Sequence, residues 1–134
     1  MSTTMHLHRD LDIVSLGEPM VEFNQTGEHD GRLYLQGFGG DSSNFAIAAA
    51  RQGARVAYAS ALGDDPYGAM LRALWDREGV NHDAVPTDPQ GYTAIYFVTH
   101  DAQGHHFHFF RSGSAASRMT PAQLPRDLIT RAAV

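Results

Sequence analysis

Apolar runs of four to seven residues alternate along the chain with glycine-bounded polar turns, and two longer stretches repeat their apolar positions at helical spacing. Residues 11–16 (LDIVSL) are mostly apolar, rich in β-branched side chains and closed by Gly17, which predicts a buried first strand. Residues 21–23 and 32–35 flank the polar turn 26–31 and predict a second, half-exposed strand pair. Residues 43–52 predict a helix, with Ser42 or Ser43 as its N-cap, Gly53 just past its end and a small-residue stripe at Ala46, Ala49 and Ala50. A strand at 55–61 (RVAYASA) and a turn at 62–65 follow. Asp65 then caps a second helix, with Pro66 in its first turn, apolar positions at Met70, Leu71, Leu74 and Trp75, and Gly79 as its stop. Strand, helix, strand, helix with short connections predicts right-handed crossovers and a parallel sheet covered by helices.

The pattern changes at residues 92–100 (YTAIYFVTH), which alternate at period two, turn through 101–104 and return as 105–111 (HHFHFFR). This predicts a β-hairpin. His105, Phe107, Phe109 and Arg111 share one face of its second strand and His106, His108 and Phe110 the other, so both faces read as partly covered. Thr120-Pro121 opens another helix, and no stop signal follows before Val134. A sheet of two or three parallel strands would keep open edges, so the pattern reads as interrupted midway.

Composition narrows the function classes. The chain has 134 residues, 43% hydrophobic and 19% charged, a globular balance sufficient for one ordinary domain. Ten basic against fifteen acidic residues give a net charge of −5, which disfavours nucleic acid or an anionic membrane surface and favours a small molecule. Without cysteine there is neither a disulfide nor a thiolate metal site. No apolar run approaches the roughly 20 residues that cross a bilayer, and residues 1–10 lack the apolar centre of a secretion signal, so the expected location is cytoplasmic.

The candidate chemistry centres on residues 37–44 (GFGGDSSN). Their glycines suggest a phosphate-cradling loop, but the spacing fits neither the dinucleotide fingerprint nor a Walker loop, since no Gly-Lys-Ser/Thr follows. What remains is backbone freedom beside Asp41 and Asn44, a carboxylate and an amide able to grip hydroxyl groups, as for a sugar. The plainer alternative is a tight turn with Asn44 capping the helix. Arg111 can clamp a carboxylate or phosphate, or form a surface ion pair. Asp64 and Asp65 read as helix-capping residues or metal ligands, and His100, His105, His106 and His108 as a metal cluster or a polar strand face.

The run Gly39-Gly40-Asp41-Ser42-Ser43-Asn44, with Gly53, then Gly63-Asp64-Asp65-Pro66-Tyr67-Gly68 and later Glu78-Gly79-Val80, resembles the N-terminal signature of ribokinase-like carbohydrate kinases of the PfkB type. It departs from that signature at Ser42, where a small residue such as Gly, Ala or Pro is usual. Gly17-Glu18, residues 37–44 and residues 109–117 (FFRSGSAAS) look most like 2-keto-3-deoxygluconate kinases, although fructokinases and ribokinases share most of the pattern.

The resemblance implies an α/β fold with a mostly parallel sheet flanked by helices and a β lid, residues 21–35 and 92–111 forming the lid. It implies a substrate site of Gly39, Gly40, Asp41, Asn44, Tyr96 and Arg111, with Arg111 meeting a sugar-acid carboxylate and lid strands pairing into a homodimer. Phe109 and Phe110 stand where that family commonly has tyrosines. ATP and Mg²⁺ would serve the complete enzyme. The glycine-rich anion hole and the catalytic aspartate of such kinases belong to a C-terminal Asp-Thr-x-Gly-Ala-Gly-Asp motif that nothing in residues 1–134 matches. The expectation is therefore the sugar-binding half of a sugar or sugar-acid kinase, inactive by itself, or a non-catalytic module that retains sugar binding and dimerisation.

Overall fold

The computed structural model describes residues 9–134; most of the stretch read above for a secretion signal lies outside them. Strand β1 (Ile13–Leu16) pairs in parallel with β4 (Val56–Ala59), Ile13 opposite Val56 and Leu16 opposite Ala59. All four β4 residues are buried, as a continuous apolar run in a parallel sheet should be. Helix α1 (Asp41–Arg51) packs on this pair, and helix α2 (Pro66–Glu78) packs beside it.

The core joins Val56 and Tyr58 of the sheet to Ala46 and Ile47 of α1 and to Leu71, Leu74 and Trp75 of α2. Trp75 is fully buried, and its indole N–H donates to Ser43 Oγ at 2.9 Å, so the polar tip has a partner inside the core. Helix α2 has the expected ends: the Asp65 carboxylate accepts from the Gly68 N–H at 2.8 Å, Pro66 opens the helix, and Gly79 closes it in the left-handed conformation.

Two departures come from pairing partners that local patterns do not reveal. Leu62–Gly63 is a two-residue strand, β5, parallel to β6 (Thr87–Asp88), where a turn is expected. Residues after Thr120 form a short 3-10 turn, Pro121–Gln123, and then α3 (Arg126–Arg131), instead of one helix from Pro121. Leu124 and Pro125 intervene in non-helical conformations, as expected for a residue before proline.

The lid is one four-stranded sheet in the order β3-β2-β7-β8, built from β2 (Met20–Gln25), β3 (Tyr34–Gly39), β7 (Ile95–Asp101) and β8 (Gly104–Phe110). Two antiparallel hairpins, about seventy residues apart in sequence, are joined by the parallel β2–β7 pair. Val21, Phe23 and Ile95 on one face pack towards the core, and Phe23 meets Tyr67 of α2 edge to face at 5.8 Å. Every residue of β8 is exposed, unlike the two-sided cover expected, because β8 is an edge strand extending beyond the helices.

Candidate functional site

The glycine-rich segment divides between a strand and a helix start. Gly37, Phe38 and Gly39 lie in β3, opposite Glu22, Val21 and Met20, while Gly40 is the N-cap of α1. The expected capping serine is replaced by a backbone turn: Gly40 adopts φ 95°, and a Cβ there would stand 2.5 Å from the Glu18 carbonyl oxygen. Ser42 Oγ instead sits 2.8 Å from the Tyr58 hydroxyl, and Ser43 holds Trp75. Asp41 thus falls in the first turn of α1, where the helix dipole favours a carboxylate. Asn44, one turn further on, is exposed and on the same side of the helix.

Gly40, Asp41, Asn44 and Tyr96 converge on one cavity of about 210 Å³, closed by Met20, Phe107 and Phe109. Gly39 acts from behind. A Cβ on it would lie 2.2 Å from the Tyr96 hydroxyl oxygen, so glycine is what lets the phenol lie against β3. Tyr96 O–H donates to the Glu22 carboxylate in a short hydrogen bond. Burial, and then this carboxylate, raise the Tyr96 pKa above the ordinary phenol value, so the group stays protonated and its oxygen can accept from a ligand hydroxyl. Phe107 and Phe109 stand 6.1 and 5.6 Å from the Tyr96 ring and give the cavity an apolar wall.

The cavity therefore offers a carboxylate, an amide and a phenol oxygen beside aromatic faces, a donor and acceptor set matched to a polyhydroxylated ring. No cation lines it, and the sequence has no lysine, so a nucleoside triphosphate does not fit there. Of the two phenylalanines at positions where tyrosine is common, only Phe109 faces this cavity. Phe110 points to the other side of the lid, 5.8 Å from Phe97.

Arg111 goes elsewhere. Its Nε lies 2.6 Å from Glu18 Oε2, and the pair lines a neighbouring cleft of about 380 Å³ with Leu16, Ala116, Met119 and Leu124. The Glu18 side chain is 9% exposed and also accepts a short hydrogen bond from Ser114 O–H. In the sequence Glu18 stands only as part of a motif, and its pairing with Arg111 is visible only once residues 93 positions apart meet.

Asp65 and three of the four histidines are committed to structure. Asp65 caps α2 and also accepts from the Thr93 N–H at 2.8 Å. His106 bonds Asp101 at 2.9 Å, His108 bonds Thr99 at 3.0 Å, and His100 bonds Asn24 at 2.9 Å, each tying neighbouring strands or the hairpin turn. Among the described residues no group of three or more His, Cys, Asp or Glu is placed to hold a metal, and no helix is long and apolar enough to cross a membrane.

Residues 10–134 match the profile of the pfkB family carbohydrate kinases. This chain belongs to that family. Among its curated relatives, fructokinase-2 of Solanum habrochaites is 40% identical over 127 residues, covering 91% of this chain and 39% of the relative. Fructokinase-1 of Oryza sativa subsp. japonica is 39% identical over the same coverage. The chain thus spans about two-fifths of the length of the curated relatives it matches.

Among solved structures, the ATP-bound fructokinase of Xylella fastidiosa superposes with a TM-score of 0.83 at 27% identity, over 90% of this pfkB chain and 37% of that one. A PfkB protein from Polaromonas sp. JS666 gives 0.82 at 30% identity, over 91% and 42%. A ribokinase II-type protein of E. coli gives 0.80 at 19% identity, over 91% and 41%, a likeness of fold alone. The fold is the ribokinase-like α/β fold. The curated relatives named above are fructokinases, and none of the proteins described supports the leaning towards 2-keto-3-deoxygluconate.

Proposed function

We propose that this chain is the substrate-binding part and lid of an ATP-dependent kinase that phosphorylates a sugar, fructose being the first candidate. One observation carries the reading: Gly40, Asp41, Asn44 and Tyr96, from a helix start and a distant lid strand, line one cavity of sugar-like chemistry. Family membership supplies the reaction class, and the relatives' names supply the candidate sugar.

In this reading Asp41 and Asn44 orient the hydroxyls, Tyr96 accepts from one of them, and Phe107 with Phe109 keeps water from the sugar. Binding and orientation of this kind contribute a large share of phosphoryl transfer, which requires little covalent help from the protein. ATP and Mg²⁺ would be held by a part of the enzyme other than these residues, because the cavity's acidic lining does not suit a triphosphate. A second copy pairing along the open lid edge at β8 would complete a homodimer.

The sugar-acid alternative rested on Arg111 as a free cation, and its pairing with Glu18 weakens that support. Isothermal titration calorimetry of the 134-residue chain, with an assay of ADP release, tests the proposal. Fructose should bind, ATP with Mg²⁺ should not, and no ADP should form. ATP binding or ADP release by this chain alone would overturn the division of labour.

A further inference from the structure

Ser42 is where residues 39–44 depart from the family signature, and it does not line the sugar cavity. It stands half-buried in the first turn of α1, between Asp41 and Ser43, and its hydroxyl turns towards the sheet.

The surroundings are shaped to hold that hydroxyl. Ser42 Oγ lies 2.8 Å from the hydroxyl of Tyr58, a wholly buried residue of β4. The Ser15 hydroxyl of β1 donates to the Ser42 carbonyl at 2.9 Å, and Ser15 stands directly opposite Tyr58 in the β1–β4 register. Gly17 leaves the space, since a Cβ on it would fall 2.1 Å from Ser42 Oγ. Two adjacent strands thus grip one residue at the helix start.

Asp41 and Asn44 line the cavity from the same turn of α1. Where they point depends on the rotation of α1 about its axis, around which successive residues stand about 100° apart. Ser43 ties the helix to Trp75 from one direction, and Ser42 ties it to Tyr58 and Ser15 from another. A single tie acts as a pivot, and a second removes that freedom. An alanine at position 42 would leave the buried Tyr58 hydroxyl without this partner, at the cost such groups incur.

Resting on the reading of this cavity as a sugar site, we propose that Ser42 and Tyr58 are positioning residues for sugar binding: their paired hydroxyls fix the rotation of the α1 start and so the aim of Asp41 and Asn44. Neither residue touches the sugar, and no bond changes.

Calorimetric titration of the 134-residue chain with D-fructose, at a temperature where circular dichroism shows every protein folded, compares the native form with Ser42→Ala, Tyr58→Phe, the double variant and Val85→Ala. Val85 is a buried core residue outside α1 and the lid, so its truncation reports loss of stability alone. Each hydroxyl deletion should raise the dissociation constant about fivefold, the scale of one neutral hydrogen bond. The double variant should be no weaker than either single one, because both remove the same bond. Val85→Ala should melt at a lower temperature and bind fructose as the native chain does. In spectra without sugar, the Asp41 and Asn44 amide signals should move in Tyr58→Phe and stay in Val85→Ala. Native affinity in both single variants, losses that multiply in the double, unmoved signals in Tyr58→Phe, or an equal loss in Val85→Ala overturns the proposal while leaving the sugar site intact. A native chain that does not bind fructose overturns the sugar site itself, and this proposal with it. If Tyr58→Phe fails to fold, Ser42→Ala decides, since alanine suits a helix: native affinity there overturns the assignment.

Discussion

Asn44, Asp41 and Tyr96 can each be named from the sequence, but Gly39 shows what a motif leaves out. The residue does not line the cavity. Its missing side chain is what admits Tyr96, because a methyl there would fall 2.2 Å from the phenol oxygen and 2.8 Å from the ring. Gly39→Ala should therefore displace Tyr96 while keeping the strand, which alanine can join without a backbone penalty. Fructose affinity measured by calorimetry should drop about tenfold, the loss expected for one polar contact and its alignment, with near-native thermal stability. Unchanged affinity would mean that Tyr96 does not touch the sugar.

The same scale explains why Arg111 read differently in sequence and structure. Its residue type announces a carboxylate partner, and it has one; the partner is internal. Nothing in the spacing between Glu18 and Arg111 signals a contact across 93 positions, whereas the cap at Asp65 and the stop at Gly79 are local and were legible.

At the level of elements, what the chain does locally was readable and what it does with distant partners was not. The amphipathic repeat of α2 and the turn at 101–104 each follow from a few adjacent residues. The parallel joining of β2 to β7, and of β5 to β6, depends on strands that meet only in three dimensions. The segment 37–39 read as a loop because glycine is rare in strands, yet it pairs with β2 so that a tyrosine and a helix start can approach it.

One tie between elements makes a pH prediction. Asp12, just before β1, accepts from the Arg55 side chain at 2.8 and 3.1 Å and from its backbone N–H at 2.7 Å, just before β4. These bonds, the side-chain ones foremost, lower the Asp12 pKa to about 2 from an unfolded value near 3.8. A depressed folded pKa stabilises above the unfolded value, and that contribution disappears as pH falls from about 4 towards 2. Asp12→Asn should remove that share of acid sensitivity. Thermal melts followed by circular dichroism between pH 2 and 5 should show a shallower decline for the variant; parallel curves would mean that the pair adds nothing, as exposure of both partners allows for many surface pairs.

For the molecule as a whole, the division is between a packed α/β layer and a lid that reaches past it. The core of Tyr58, Leu71, Leu74 and Trp75 secures β1, β4 and the two long helices. The lid carries a smaller cluster of Met20, Ala94, Tyr96 and Val98, and the cavity lies between that cluster and the start of α1. A rigid helix start on one side and a sheet on the other is an arrangement in which, on the proposed function, a sugar would close the gap between two elements. Family and fold were legible because the signature residues sit at turns and caps, whose chemistry is local. The surroundings of Arg111 were not, because its pairing with Glu18 spans 93 positions.

The most direct test of this account is an amide NMR titration of the 134-residue chain with D-fructose. Saturable shifts should concentrate at Gly40, Asp41, Asn44 and Tyr96, and ATP with Mg²⁺ should leave these signals in place. Shifts confined to other parts of the chain, or movement of these four with ATP and not with the sugar, would contradict it.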